Sequence, residues 1–242
     1  MDSGELKQHY GNEYPAAVTL NGMRLPLTYD GRFAREYSSN EAKVSAVISK
    51  FQDGSVSITA GELETQWSGW SQRDRHEFCS GLAWLAGQAD LPNMLRFVMS
   101  QAEPEYWSST ALAVAHCLPK EEGFGLLRDA LARLDSHTAN ITQGIAATEH
   151  PEAKRLLERH LEQLWSYPDL WADDPFSNWR AFDATCCIQN LLDLGAQPSE
   201  YEAKVRALSK HACAGNRQSC GTFLHKYYDW LQEPQIPPPF AV

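Results

Sequence analysis

The chain of 242 residues contains no run of about 18 uncharged apolar residues, so nothing in it is expected to span a membrane. Positive charge is also scarce. Lys plus Arg number 21 against 31 Asp plus Glu, a net charge of −10. Such a surface repels phosphate backbones, which argues against a general nucleic-acid binder. It keeps the chain soluble, or steers a basic partner toward it. The opening stretch MDSGELKQHYGNEYP has neither a basic leader nor an apolar core, so no secretory signal is expected. The six cysteines lack the spacing of a disulfide scaffold and read as buried, reduced thiols of a cytoplasmic protein.

Catalytic signatures are missing too. No G-x-S-x-G elbow, phosphate loop or G-x-G-x-x-G after a strand occurs, and His76-Glu77 lacks the second histidine that a zinc-protease helix needs. His116 and Cys117 are helix neighbours that point in different directions, so they do not form a nucleophile pair. Glu121 and Glu122 suit the first turn of a helix, where the dipole favours negative charge. His211, Cys213, Cys220 and His225 have zinc-ligand chemistry, but Cys213 to Cys220 is too long for a knuckle. No catalytic residue, metal or cofactor is expected.

What the chain does have is apolar periodicity. Hydrophobic residues make up 43% of it and there are eight tryptophans, which argues against disorder. Residues 135–165 read as two helices joined by a tight corner. Asp135 or Ser136 would cap the first, with Ile141 and Ile145 on its apolar side, and His150-Pro151 would close it. Pro151 suits the start of the second helix, which carries Ala153, Leu156, Leu157, Leu161 and Leu164 on one face.

The pattern recurs at roughly 30-residue spacing. Leu126, Leu127, Leu131 and Leu134 match Leu156, Leu157, Leu161 and Leu164, and TALAVAHCLP matches TQGIAATEHP, each ending in proline. A third unit is visible in GLAWLAGQADLPNMLRFVMSQ. Helix pairs at such a period are the signature of an α-solenoid. Over about Ser71 to Leu231 the chain resembles the HEAT-like repeat family, and its short units are similar to the bacterial, lyase-associated branch. The family's usual aspartate and arginine at the inner corner are not consistently present. An ordinary helical bundle is the alternative.

In chain order, residues 1–70 read as a small mixed α/β lead-in or cap. A hairpin is expected around Asn21-Gly22, with Pro26 ending its second strand or keeping it at an edge. Asn40 caps a short helix over EAKVSAVISKF, SVSIT is a strand, and Thr59 with Glu62 forms a capping box that opens a helix through Leu63 to Trp67. Residues 71–232 form the helical-repeat domain, whose first helix is started by Ser71 with Asp74. Later helices end at Gly195 and Gly215, and residues 233–242 are a proline-rich tail. The fold class expected is mainly α: an α-solenoid of HEAT-like helix pairs behind a mixed lead-in.

One segment breaks the period. Residues 166–180 carry Tyr167, Trp171 and Trp179 beside Asp173 and Asp174, an aromatic–acidic insertion. Repeat proteins place insertions on one face, often the binding face, and tyrosine and tryptophan are favoured anchors. The same rings could instead fold back and plug a gap between units. The function expected is a non-enzymatic protein-binding module that captures a partner with a basic surface, as a bacterial immunity (antitoxin) protein or an adaptor does. The alternative is an enzyme of the lyase-associated type acting on a small cofactor or base, although no catalytic residues of that branch carry over here.

Overall fold

The computed structural model describes residues 17–20, 23–26, 59–70, 72, 75, 79, 82 and 90–231. Strands β1 (Ala17–Leu20) and β2 (Met23–Pro26) pair antiparallel, with Leu20 opposite Met23 and Ala17 opposite Pro26. Pro26 is the last residue of its strand, as its missing N–H requires. The helix expected after Asn40, strand residues 55–58, and Ser71 and Asp74 lie outside the described residues, as does the tail. Everything else described is helix and connection, so the protein is mainly α.

The chain divides into two compact units, Met1–Ala130 and Leu131–Val242. In the first, α1 (Ala60–Trp67) opens on the expected capping box. Thr59 Oγ1 accepts from the Glu62 N–H at 3.2 Å, and the Glu62 carboxylate accepts from the Thr59 N–H at 2.8 Å. It packs on α2 (Leu91–Ser100), which packs on α3 (Pro104–Cys117). Trp67 is buried and meets Phe97 and Tyr106 edge-on at 5.4 and 5.3 Å. Trp107 is buried as well, and its indole donates to the Gln101 carbonyl at 3.0 Å. Glu121 and Glu122 fall in the first turn of α4 (Lys120–Leu131), as expected, and Glu122 pairs with Arg96.

The second unit is built around α7 (Pro175–Asp193). It packs against α5 (Ala139–Ala147), α6 (Ala153–Trp165), α8 (Pro198–Leu208) and α9 (Ala214–Leu224). A 3₁₀ turn, His225–Tyr227, follows α9. From Asp183 to Leu192 every residue of α7 is buried. Of the stripe read on α6, Ala153, Leu157, Leu161 and Leu164 are buried while Leu156 is only half-buried, and Leu127 of α4 is buried too. Gly195 stands at φ +82° past α7, with its N–H bonded to the Leu192 carbonyl and the Ala196 N–H to the Leu191 carbonyl, both at 3.0 Å. This is the left-handed stop that glycine permits.

Four expectations are corrected. The residue flanking α5 is Thr138, not Asp135 or Ser136; the carboxylate that caps it comes from Asp183, far along the chain. Pro151 precedes α6 by two residues instead of opening it. Helix α7 starts at Pro175, so the insertion is only 166–174 and Trp179 is helical. The wholly buried run from Asp183 to Leu192 has no polar face, so no apolar period there marked how far back the helix reaches. Gly215 sits inside α9 and ends nothing. The corner before it is held by His211, whose buried ring accepts the Cys213 N–H at Nδ1 and donates from Nε2 to the Leu170 carbonyl.

Candidate functional site

Arg180 organises the segment that breaks the helical period. It projects from α7 with only 12% of its side chain exposed. Its Nη1 donates to both oxygens of Asp169 at 3.1 and 2.9 Å, and its guanidinium lies 4.0 Å from the centre of the Tyr167 ring. Its Nε reaches the Asp135 carbonyl at 3.4 Å, and Nη2 stands 3.8 Å from the Asp135 carboxylate. One guanidinium therefore ties residues 135, 167 and 169 to α7. Stacking on one ring while donating from separate nitrogens to Asp169 and to the Asp135 carbonyl suits arginine and not lysine.

The five residues marked by sequence separate into two groups. Tyr167 and Asp174 are used internally. Tyr167 lies against Arg180, and Asp174 accepts from the Ser177 N–H at 3.1 Å and the Ser177 hydroxyl at 2.6 Å, capping α7. Trp171, Asp173 and Trp179 face solvent, and the two tryptophans are 39% and 45% exposed. Among the described residues Asp173 accepts from a neutral donor, Asn178 Nδ2, at 3.0 Å. Trp171 stands edge-on to Trp165 at 5.1 Å and 5.9 Å from His211. Trp179 lies 4.3 Å from His137 and edge-on to Phe182 at 5.9 Å; Phe182 in turn meets Phe223. The structure thus gives each tryptophan its own aromatic neighbours.

Sequence reasoning missed the residues that hold this face in place. His137 has φ +59°, the left-handed region that side-chain-bearing residues seldom adopt. The next two N–H groups, of Thr138 and Ala139, donate to Asp183 Oδ1 at 2.9 and 3.0 Å. The Thr138 hydroxyl meets His160 Nε2 at 2.9 Å, and Asn190 Nδ2 donates to the Thr142 hydroxyl at 3.1 Å. His137 itself is exposed, whereas Thr138, Thr142, His160, Asp183 and Asn190 are buried, and Asp183 Oδ2 has no hydrogen-bond partner among the described residues. Burial pushes the Asp183 carboxyl up to about 7, against the pull of the Thr138 and Ala139 N–H groups. Burial alone drives His160 down to about 4. The cluster is closed to solvent and acts as a brace. A lone Asp in the apolar run DATCCI and a His inside the leucine stripe of α6 were its signals.

The remaining chemistry-bearing groups are spent on packing. All six cysteines are free thiols. Burial raises the thiols of Cys79, Cys117, Cys187 and Cys220, which disfavours the nucleophilic thiolate. Among the described residues, no group of three or more His, Cys, Asp and Glu side chains is arranged to hold a metal ion. His211 and Cys220 are hydrogen-bonded to the backbone carbonyls of Leu170 and Val205.

The described residues define a mainly α protein in which no helix is long and apolar enough to cross a membrane. No protein-family model matches the chain, and it matches no curated protein and no solved structure.

Proposed function

We propose that the chain is a non-enzymatic binding module that captures another protein, one with a basic surface, through the exposed aromatic and acidic side chains of 166–180. The observation that carries this reading is the exposure of Trp171 and Trp179, the two large apolar side chains that stand exposed among the described residues. Exposed tryptophan flanked by polar groups is the composition of an interaction anchor. The net charge of −10 favours a basic partner. Immunity (antitoxin) proteins and adaptors act in this way, by contact alone. Free thiols throughout support a cytoplasmic setting.

Residues 71–232 are read as an α-solenoid of HEAT-like helix pairs, with an ordinary helical bundle as the alternative. In support, α7 touches the helices before it, α5 and α6, and those after it, α8 and α9, as stacked repeats require. The β1–β2 hairpin supports a mixed lead-in within residues 1–70.

The test is capture from the source cell's lysate by the immobilised chain, read by mass spectrometry. The expected result is one stoichiometric basic protein, retained by the wild type and lost in Trp171→Ala at unchanged melting temperature. Equal retention by the variant, or loss that tracks unfolding, overturns the reading.

A further inference from the structure

Four observations converge on the edge where residues 135–139 meet α7. Trp179 is 45% exposed, the most open large apolar side chain among the described residues. The His137 ring lies 4.3 Å from it, inclined at 41°, and is held there by a left-handed backbone. Strained backbone kept in place by its surroundings tends to mark a working position. The surroundings are the two N–H bonds to Asp183 and the Arg180 clasp on the Asp135 carbonyl. Finally, Asp135 has a side chain 75% exposed, and it shares the one Arg180 guanidinium with Asp169, standing 3.8 Å from Nη2 while Asp169 holds the shorter contact at 2.9 Å.

Elsewhere in this unit, cations already lie over aromatic faces. Arg180 covers Tyr167, Lys204 stands 4.8 Å from the centre of the Trp165 ring, and Arg206 is 4.1 Å from that of Trp230. Trp179 has an edge-on phenyl and a tilted imidazole as its ring neighbours and keeps surface open to solvent. An open indole whose neighbouring loop also bears an exposed, loosely paired carboxylate has the chemistry of a receptor for a cationic side chain, and arginine fits both the ring and the carboxylate.

We propose that the Trp179–His137–Asp135 edge binds an arginine-bearing segment of the partner protein, with a guanidinium stacked on Trp179 and paired to Asp135. The inference rests on the partner-capture reading above and names the chemistry it recognises. A second copy of this acidic chain, a nucleic acid and an anionic membrane all carry the wrong charge for this edge.

The test titrates the full chain into a fluorescein-labelled peptide of alternating Gly and Arg, followed by anisotropy. A peptide with citrulline in place of arginine is the neutral control. Saturable binding of the arginine peptide is expected, with Trp179→Ala and Asp135→Asn each weakening it about tenfold. Trp179→Phe, which keeps an aromatic packed on Phe182, is expected to lose less, about threefold. Trp171→Ala and Asp193→Asn, an exposed carboxylate elsewhere in the unit, are expected to change it less than about twofold. Equal loss with Asp193→Asn means diffuse attraction and overturns the proposal. So does binding that depends on Trp171 and ignores Trp179, equal binding of the citrulline peptide, or no saturable binding. A lysate partner retained through Trp171 while the peptide ignores Trp179 sinks this inference alone. A lysate that yields no partner sinks the capture reading, whatever the peptide does.

Discussion

Asp183, buried well inside α7, caps α5 by accepting the N–H of Thr138 at 2.9 Å, across 45 positions of sequence. The same carboxylate oxygen takes the Ala139 N–H at 3.0 Å. One side chain therefore ends one helix, joins it to the central one and fixes the loop that presents His137 to Trp179. Asp183→Ala leaves two helix N–H groups without their acceptor and is expected to destabilise by roughly 2–3 kcal/mol in urea unfolding. Asp183→Asn keeps an amide oxygen as acceptor and is expected to lose less than Ala does. Equal losses would mean that capping is not what Asp183 does.

The pH dependence of stability follows from two opposed shifts. Asp183 titrates at about 7 in the fold against 3.8 unfolded, so its contribution is full below 3.8 and is lost as pH rises through 7. His160 titrates at about 4 against 6.5, so its contribution is full above 6.5 and is lost as pH falls toward 4. Between 4 and 6.5 the two slopes cancel in the wild type. In Asp183→Asn stability should climb with pH over that window; in His160→Gln it should fall until about 7. Urea midpoints taken across this range check both signs.

Leu157 is fully buried on α6, and the Cys187 thiol donates to its carbonyl from α7 at 3.3 Å. Leu157→Ala is expected to cost roughly 2–5 kcal/mol, the range for emptying a packed leucine site. A loss below about half a kcal/mol, as surface changes give, would remove this residue from the core.

The neighbouring aspartates of the insertion should separate by role. Asp174→Ala deletes the α7 cap and is expected to lower stability by about 1 kcal/mol. Asp173→Asn is expected to leave stability unchanged, while slowing association with a basic partner and flattening its salt dependence. Thermal melts and stopped-flow association on the same two variants decide it.

Two glycines of α4 make a matched pair. A Cβ at Gly123 would stand 2.9 Å from the Val114 carbonyl oxygen, whereas one at Gly125 meets nothing within 4 Å. Gly125→Ala is expected to stabilise by about 0.5–1 kcal/mol through helix propensity. Gly123→Ala is expected to destabilise, because backbone must shift to admit the methyl group. Two equal effects would show that α3 does not approach α4 at Gly123.

Local chemistry determined what could be read locally. Thr59 and Glu62 satisfy each other three residues apart, Gly195 alone relieves the left-handed stop, and the leucines of α6 alternate with charge around one helix, so each was legible from sequence. The exposure of Trp171 was one of the two outcomes that the sequence left open, binding face or plug, because tryptophan beside aspartate in a break of period has no helix stripe to join. Tertiary structure decided the rest. Helix α7 packs against four others, so from Asp183 to Leu192 burial on every side erased the amphipathic signal that would have joined this stretch to the start at Pro175. The α5 cap is supplied by Asp183, a partner that no local window contains. His137, ordinary in sequence, became part of the candidate site only because packing forced its backbone left-handed and laid its ring beside Trp179. Short-range hydrogen bonds and periodicity are written residue by residue; which buried polar groups meet depends on contacts that form only when the helices close together.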